Sequence, residues 1–393
     1  MSSPQCAPRS GAAAPSAPPK DRPAPGGAAP DTASPPGRSA YFDNAKFLAT
    51  VLVVVAHAWG PLRDSRAVDA VHLLVYTFHM PAFILISGYF SRGFTATPHR
   101  VFRLVTTLLV PYVVFEVAYT VLRRSVAGDA DAPFTFFDPW YLTWFLVVLF
   151  IWRLSTPLWQ ALRWPLGTAL AIAALASMTP GLGTAFDVQR VLQFLPFFVL
   201  GLTLRPGHFT RLRSWPVRLA ALPVGAGAAV FSYWAVVRMD DEWMFRRASA
   251  QDMGAPAWTG PVMTLALFGC ALVLAGCFLS WVPGRRTWFT PLGSATLYAY
   301  LLHGFVLKIA QWEDWYALDR LHTPLGEVGV TVFAAVMAAA LCTAPVRRLL
   351  RFAVEPRLDW AYGGPRSRAD PGRDHPPAAA PVREREHAAA GGR

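Results

Sequence analysis

The chain has 393 residues, of which 54% are hydrophobic and only 15% charged. A soluble domain carries about a quarter charged residues and does not string apolar runs end to end, so that class is excluded. The net charge of +12 lies mainly on arginines in short loops between apolar runs. There it sets membrane orientation and does not indicate a nucleic-acid partner.

Residues 1–39 are rich in Pro, Ala, Gly and Ser and contain no apolar core of a cleavable signal peptide. They read as a disordered cytosolic tail, leaving the first helix to act as signal-anchor. Helices are expected near 44–62, 71–91, 101–122, 139–155, 164–180, 189–204, 215–237, 258–281, 291–310 and 327–350. Each approaches the ~20 residues that cross ~30 Å of hydrocarbon, although the fourth and sixth are short. The expected fold is therefore all-α: a polytopic membrane domain over 40–355 with about ten transmembrane helices, followed by a second disordered cytosolic tail over 356–393.

Loop charges give the orientation. Alternate loops hold Arg92, Arg100 and Arg103, then Arg153 and Arg163, then Arg205, Arg211, Arg213 and Arg218, then Arg285 and Arg286, with no Asp or Glu among them. The intervening loops hold Asp64, Asp69, Asp129, Asp131, Asp138, Asp240, Asp241, Glu242, Glu313, Asp314 and Asp319. Lys/Arg excess marks the cytoplasmic side, so both termini are expected to face the cytosol. The Ala/Arg/Pro bias suggests a bacterial inner membrane. Cys6, Cys270, Cys277 and Cys342 show no paired spacing, and neither a disulfide framework nor a metal site is expected. No nucleotide-binding loop or internal repeat is visible.

An ionisable side chain at membrane depth is costly and marks a candidate site. The candidates are His57, His79, Glu116 and His303, with Lys46 at a helix mouth. Lys46 and His57 stand eleven residues apart. That is close to three turns and ~16 Å of rise, so they share a face. A donor with an anionic head and a long arm, such as coenzyme A, would meet Lys46 with its phosphates and His57 with its thioester. The same spacing also fits a snorkelling lysine and a packing histidine. Arg100 and Arg103 are candidates for the donor's phosphates or are simply topogenic. Ser87-Gly88 reads as close helix packing, not as a nucleophile.

Lys46 followed by ten residues and His57 resembles the Arg/Lys-x10-His signature of the acyltransferase-3 family. Four further segments agree. Phe78-His79-Met80-Pro81 running to Ser87-Gly88-Tyr89 is similar to the family's second helix, and Arg100 to Arg103 with Pro111-Tyr112 to its third. Trp140 to Leu146 is similar to its Trp-Phe-Leu helix, and Tyr298 to His303 to a late helix ending in histidine. The match looks closest to the fucose 4-O-acetylase-like branch. The resemblance implies transfer of an acyl group, usually acetyl from acetyl-CoA, to a hydroxyl of a sugar, glycan, lipid or small metabolite. It also implies that His57 is catalytic, as general base or as acyl carrier. His79 or His303 is the expected oxyanion donor. The competing reading is a polytopic exporter of a glycan or metabolite, which calls for matched intramembrane charges in two repeated halves. The charges here cluster in the first third of the chain plus His303.

Overall fold

The computed structural model describes residues 39–182 and 185–363, and these are all-helical with no strand. Most of both expected tails lies outside the described residues. The principal helices are α1 (Ala40–Trp59), α2 (Arg66–Ser91), α3 (Pro98–Ser125), α4 (Trp144–Leu154), α5 (Pro165–Ser177), α6 (the pair Ala185–Gln193 and Leu195–Thr203), α7 (Trp215–Ala235), α8 (Thr259–Trp281), α9 (Thr296–Trp312), α10 (Pro324–Leu341) and α11 (Ala344–Val354). Among the described residues, five of these are long and apolar enough to cross a membrane: α2, α3, α7, α8 and α10. The two halves of α6, bent by 54°, make up to six. The chain is thus a multi-pass membrane protein.

Differences from the expected boundaries have local causes. The fourth helix begins at Trp144, because Trp140 to Thr143 form a turn. Helix α3 carries a π-helical segment, Val105–Leu109, just ahead of Pro111. One extra residue in a turn rotates the following half-helix by about 100°, which sets the direction of Glu116 and Tyr119. The expected helix 327–350 stops at Leu341 and resumes as α11, with Pro345 in its first turn. Proline favours that position, and its ring disfavours helical backbone in the residue before it.

The two classes of loop lie at opposite ends of α1 and α2. At the arginine-rich end, Arg92 donates to the Leu204 carbonyl at 2.6 Å and Gln160 to that of Arg92 at 2.6 Å. There too Asn44 donates to the carbonyls of Pro283 and Arg285. At the acid-rich end Arg63 bridges Asp69 and Asp241, Arg190 donates to the Phe245 carbonyl, and Phe186 N–H meets the Phe137 carbonyl. Apolar side chains on α7 and α10, such as Val230, Phe231, Val328 and Phe333, stay exposed, as lipid-facing surfaces do. The largest core cluster joins α1, α3, α4, α6 and α9 and includes Tyr119, Leu142, Trp152, Phe198 and Leu301.

Close approach holds α2 against the second half of α6. A Cβ on Gly88 would lie 2.2 Å from the Phe198 carbonyl oxygen, and one on Gly201 would lie 2.3 Å from that of Leu85. Small residues here let two backbones touch, as expected at Ser87-Gly88. Gly88→Ala should therefore destabilise the fold by about 1–3 kcal/mol, the usual cost of overpacking. Unfolding in detergent titrated against a denaturing surfactant checks this, and wild-type stability would refute it.

His322 links two loops at the acid-rich end. Its Nδ1 lies 2.8 Å from Asp64 and its Nε2 lies 2.7 Å from the Tyr316 carbonyl. Both partners only accept, so both ring nitrogens must carry protons, as an imidazolium does. The Tyr316 carbonyl and the Asp64 carboxylate hold the His322 pKa above its ordinary value of 6.5. The link is accordingly complete below about pH 6.5 and is lost as pH rises through the raised value. Hydrogen exchange in residues 313–323 should quicken over that rise, and Asp64→Asn should weaken the dependence.

Candidate active site

His57 and His303 face each other across α1 and α9. Their rings are nearly parallel, with His57 Nδ1 2.9 Å from His303 Nε2. His303 is fully buried, and its Nδ1 lies 2.8 Å from the Ala299 carbonyl one turn earlier. A carbonyl only accepts, so neutral His303 carries its proton on Nδ1 and offers a lone pair at Nε2. His57 must then donate from Nδ1, which leaves His57 Nε2 unprotonated. The arrangement parallels a base oriented by a third group, with a neutral histidine in the orienting place.

His57 lines a cavity of about 500 Å³. The surrounding wall includes Tyr76, His79, Tyr141, Arg190, Tyr300 and Lys308. Asp138, Asp187 and Arg247, from the acid-rich end, complete the lining. His79 is set in the same way as His303: its Nδ1 lies 2.8 Å from the Val75 carbonyl one turn back. Its free Nε2 is consequently another acceptor. Two of the four expected intramembrane groups, His57 and His79, thus line one space, and His303 backs His57. Arg190 is committed to Asp187 at 2.8 Å and to the Phe245 carbonyl at 3.1 Å. Lys308 donates to Gln311 and lies 4.6 Å from the Tyr141 ring centre.

Glu116 does not join them. Its carboxylate accepts the Trp140 N–H at 3.2 Å and the Thr143 hydroxyl at 2.6 Å. It therefore cradles the turn that interrupts the expected fourth helix. Within that turn Tyr141 has φ of +55°, a left-handed conformation that costs a bulky residue of order 1 kcal/mol or more. The strain puts its ring 5.5 Å from that of His57. Gly304 makes room for it, since a Cβ there would lie 2.9 Å from Tyr141 Cε1 and 2.2 Å from the Tyr119 hydroxyl.

The cationic candidates lie toward the other end. Lys46 pairs with Asp43 at 2.9 Å and is not among the residues lining the His57 cavity. Arg100 donates to the Gly93 carbonyl at 2.5 Å, and Arg103 is exposed beside the Thr107 hydroxyl that its carbonyl accepts. Sequence reading missed Tyr76, Tyr141, Arg190 and Lys308. Trp140 to Leu146 pointed to the right segment but had been assigned to helix, and Lys308 lies two positions inside the expected end of its helix.

A family model described as an acyltransferase domain matches residues 39–347. The nodulation protein NolL of Sinorhizobium fredii is 25% identical over 334 residues, which cover 77% of this chain and 87% of that protein. No solved structure matches.

Removing the Glu116 carboxylate leaves the Trp140 N–H and the Thr143 hydroxyl without that acceptor. Glu116→Ala should cost about 1–3 kcal/mol, the penalty for unsatisfied buried donors. Thermal unfolding of the purified protein measures it, and an unchanged midpoint would count against the cradle.

Proposed function

The chain belongs to the acyltransferase-3 family and is an acyltransferase, and on that premise we propose that it moves an acyl group, acetyl in the simplest case, from cytosolic acyl-CoA to a hydroxyl of a sugar, glycan or small metabolite. The relay from the Ala299 carbonyl through His303 to His57 is the observation that carries this reading. His57 Nε2 takes the proton from the acceptor hydroxyl as that oxygen attacks the thioester carbon. The imidazolium so formed keeps its Nδ1–H donated to the His303 lone pair. The proton then goes to the departing thiolate, a good leaving group with a thiol pKa near ~8.5, so no strong separate acid is required. His57 Nε2 is equally the atom that accepts the acyl group if transfer runs in two steps. Single-turnover trapping of an acyl-enzyme separates the two routes.

Lys46, Arg100 and Arg103 are assigned to the phosphates of the donor. Their place at the arginine-rich end supports this, because that end faces the cytosol by the positive-inside rule. The rise of ~16 Å along α1 from Lys46 to His57 suits a long flexible arm. The cavity lining includes Asp138, Asp187 and Arg247 from the acid-rich end, which favours an acceptor arriving from the far side of a bacterial inner membrane. In this orientation both termini are cytoplasmic, and about ten segments cross the bilayer. Nothing in the comparisons favours an exporter.

The test is thiol release from acetyl-CoA by membranes and by purified protein. His57→Ala should lower turnover by about 10²–10⁴-fold, the range for loss of a general base. Near-normal turnover at normal protein level would refute the assignment.

A further inference from the structure

The reading above requires a hydrogen-bond donor where the thioester oxygen becomes an oxyanion, and neither expected histidine supplies one. His303 directs its only proton to Ala299 and its lone pair to His57. His79 directs its proton to Val75. Both are acceptors toward the site when neutral. Three tyrosines line the cavity: Tyr76, Tyr141 and Tyr300. The Tyr300 hydroxyl is already given to the Leu142 carbonyl. Among the described residues, neither the Tyr76 nor the Tyr141 hydroxyl has a protein partner, and neither is among the buried polar atoms sealed without one. Both are therefore open to the cavity.

Of these two, Tyr141 is the one the protein strains itself to place. Its φ is +55°. The turn around it is tied down by Glu116 on both sides. Gly304, the residue after His303, is bare where the ring passes. Lys308 lies on the ring at 4.6 Å, and a cation over a phenol draws density from the ring and makes its O–H a stronger donor. Tyr76 sits on unstrained helix between His72 and His79, its ring 6.1 Å from His57 against 5.5 Å for Tyr141. Backbone strain held by surrounding structure is a mark of functional placement.

We propose that Tyr141 is a further catalytic residue, whose hydroxyl donates to the oxyanion of the acyl-transfer step, and that Glu116 is its positioning residue. This rests on the acyl-transfer reading given above. As the acceptor oxygen bonds to the thioester carbon, the carbonyl π pair moves onto oxygen and the hydroxyl proton moves to His57. Tyr141 donates to that anionic oxygen. Collapse restores the carbonyl, breaks the carbon–sulfur bond and passes the proton from His57 to the thiolate, so acyl thioester and alcohol become ester and free thiol.

Tyr141→Phe keeps the ring, its packing and its lysine contact while removing the donor. Its kcat for thiol release from acetyl-CoA should fall roughly 10²–10³-fold, the effect of losing one oxyanion donor, with KM for acetyl-CoA little changed. Unfolding temperature should match the wild type. Glu116→Gln should lower kcat less than Tyr141→Phe does, and in a Tyr141→Phe background it should add little, because the two act through one hydroxyl. Wild-type kcat in Tyr141→Phe, or a larger loss in Tyr76→Phe, would overturn the proposal while leaving the function of His57 intact. Wild-type protein whose thiol release does not depend on His57 would overturn the acyl-transfer reading itself, and this proposal with it.

Discussion

The hydrogen bond between His57 and His303 is the constraint around which the site is arranged. It joins the first helix to the ninth across most of the chain, and it selects one tautomer of each ring. That selection depends on a carbonyl one turn before His303, which α-helical geometry supplies at the i−4 position. A helix carbonyl thus orients this imidazole pair, a task that a carboxylate performs elsewhere. The difference is electrostatic. A buried carboxylate would bring a charge into a low-dielectric interior, whereas the neutral histidine pair adds none.

The same economy of charge runs through the membrane region. His57, His79 and His303 are held by neutral partners, and Glu116 is balanced by two hydrogen-bond donors. Charges in ion pairs sit instead at the ends of the molecule, as Arg63 does with Asp69 and Asp241. Apolar α7 and α10 surfaces complete the picture by facing outward. Membrane residence accounts for both patterns, because no water is present at depth to solvate an unpaired ion.

Much of this was legible in the order of residues. Apolar run length gave an all-helical, multi-pass membrane protein, since it follows directly from bilayer thickness. Among the described residues, however, only five to six of the ten expected helices are long and apolar enough to cross. The Lys46 to His57 spacing singled out the helix that carries one of the two paired histidines. The cost of an ionisable group at membrane depth singled out the three histidines and Glu116 alike, and could not separate Glu116 from them. That residue instead accepts from Trp140 and Thr143, which belong to a segment whose apolar composition reads as helix. Propensity cannot reveal a turn imposed by a carboxylate from another helix. Nor can it reveal a tautomer, which depends on partners brought close only by packing.

The left-handed backbone at Tyr141 carries a consequence for how this scaffold can change. Its conformation is maintained by Glu116 from α3 and given room by Gly304 from α9. A phenol at that place is therefore a property of three separated segments, not of one codon. Single substitutions at any of the three remove it, while restoring it elsewhere would need coordinated change. Diversification of the cavity is consequently channelled toward its rim, where the exposed Asp138 and Arg247 stand on loops free of that three-way dependence. Variation in what the cavity admits can accumulate there without disturbing the histidine pair or the strained turn.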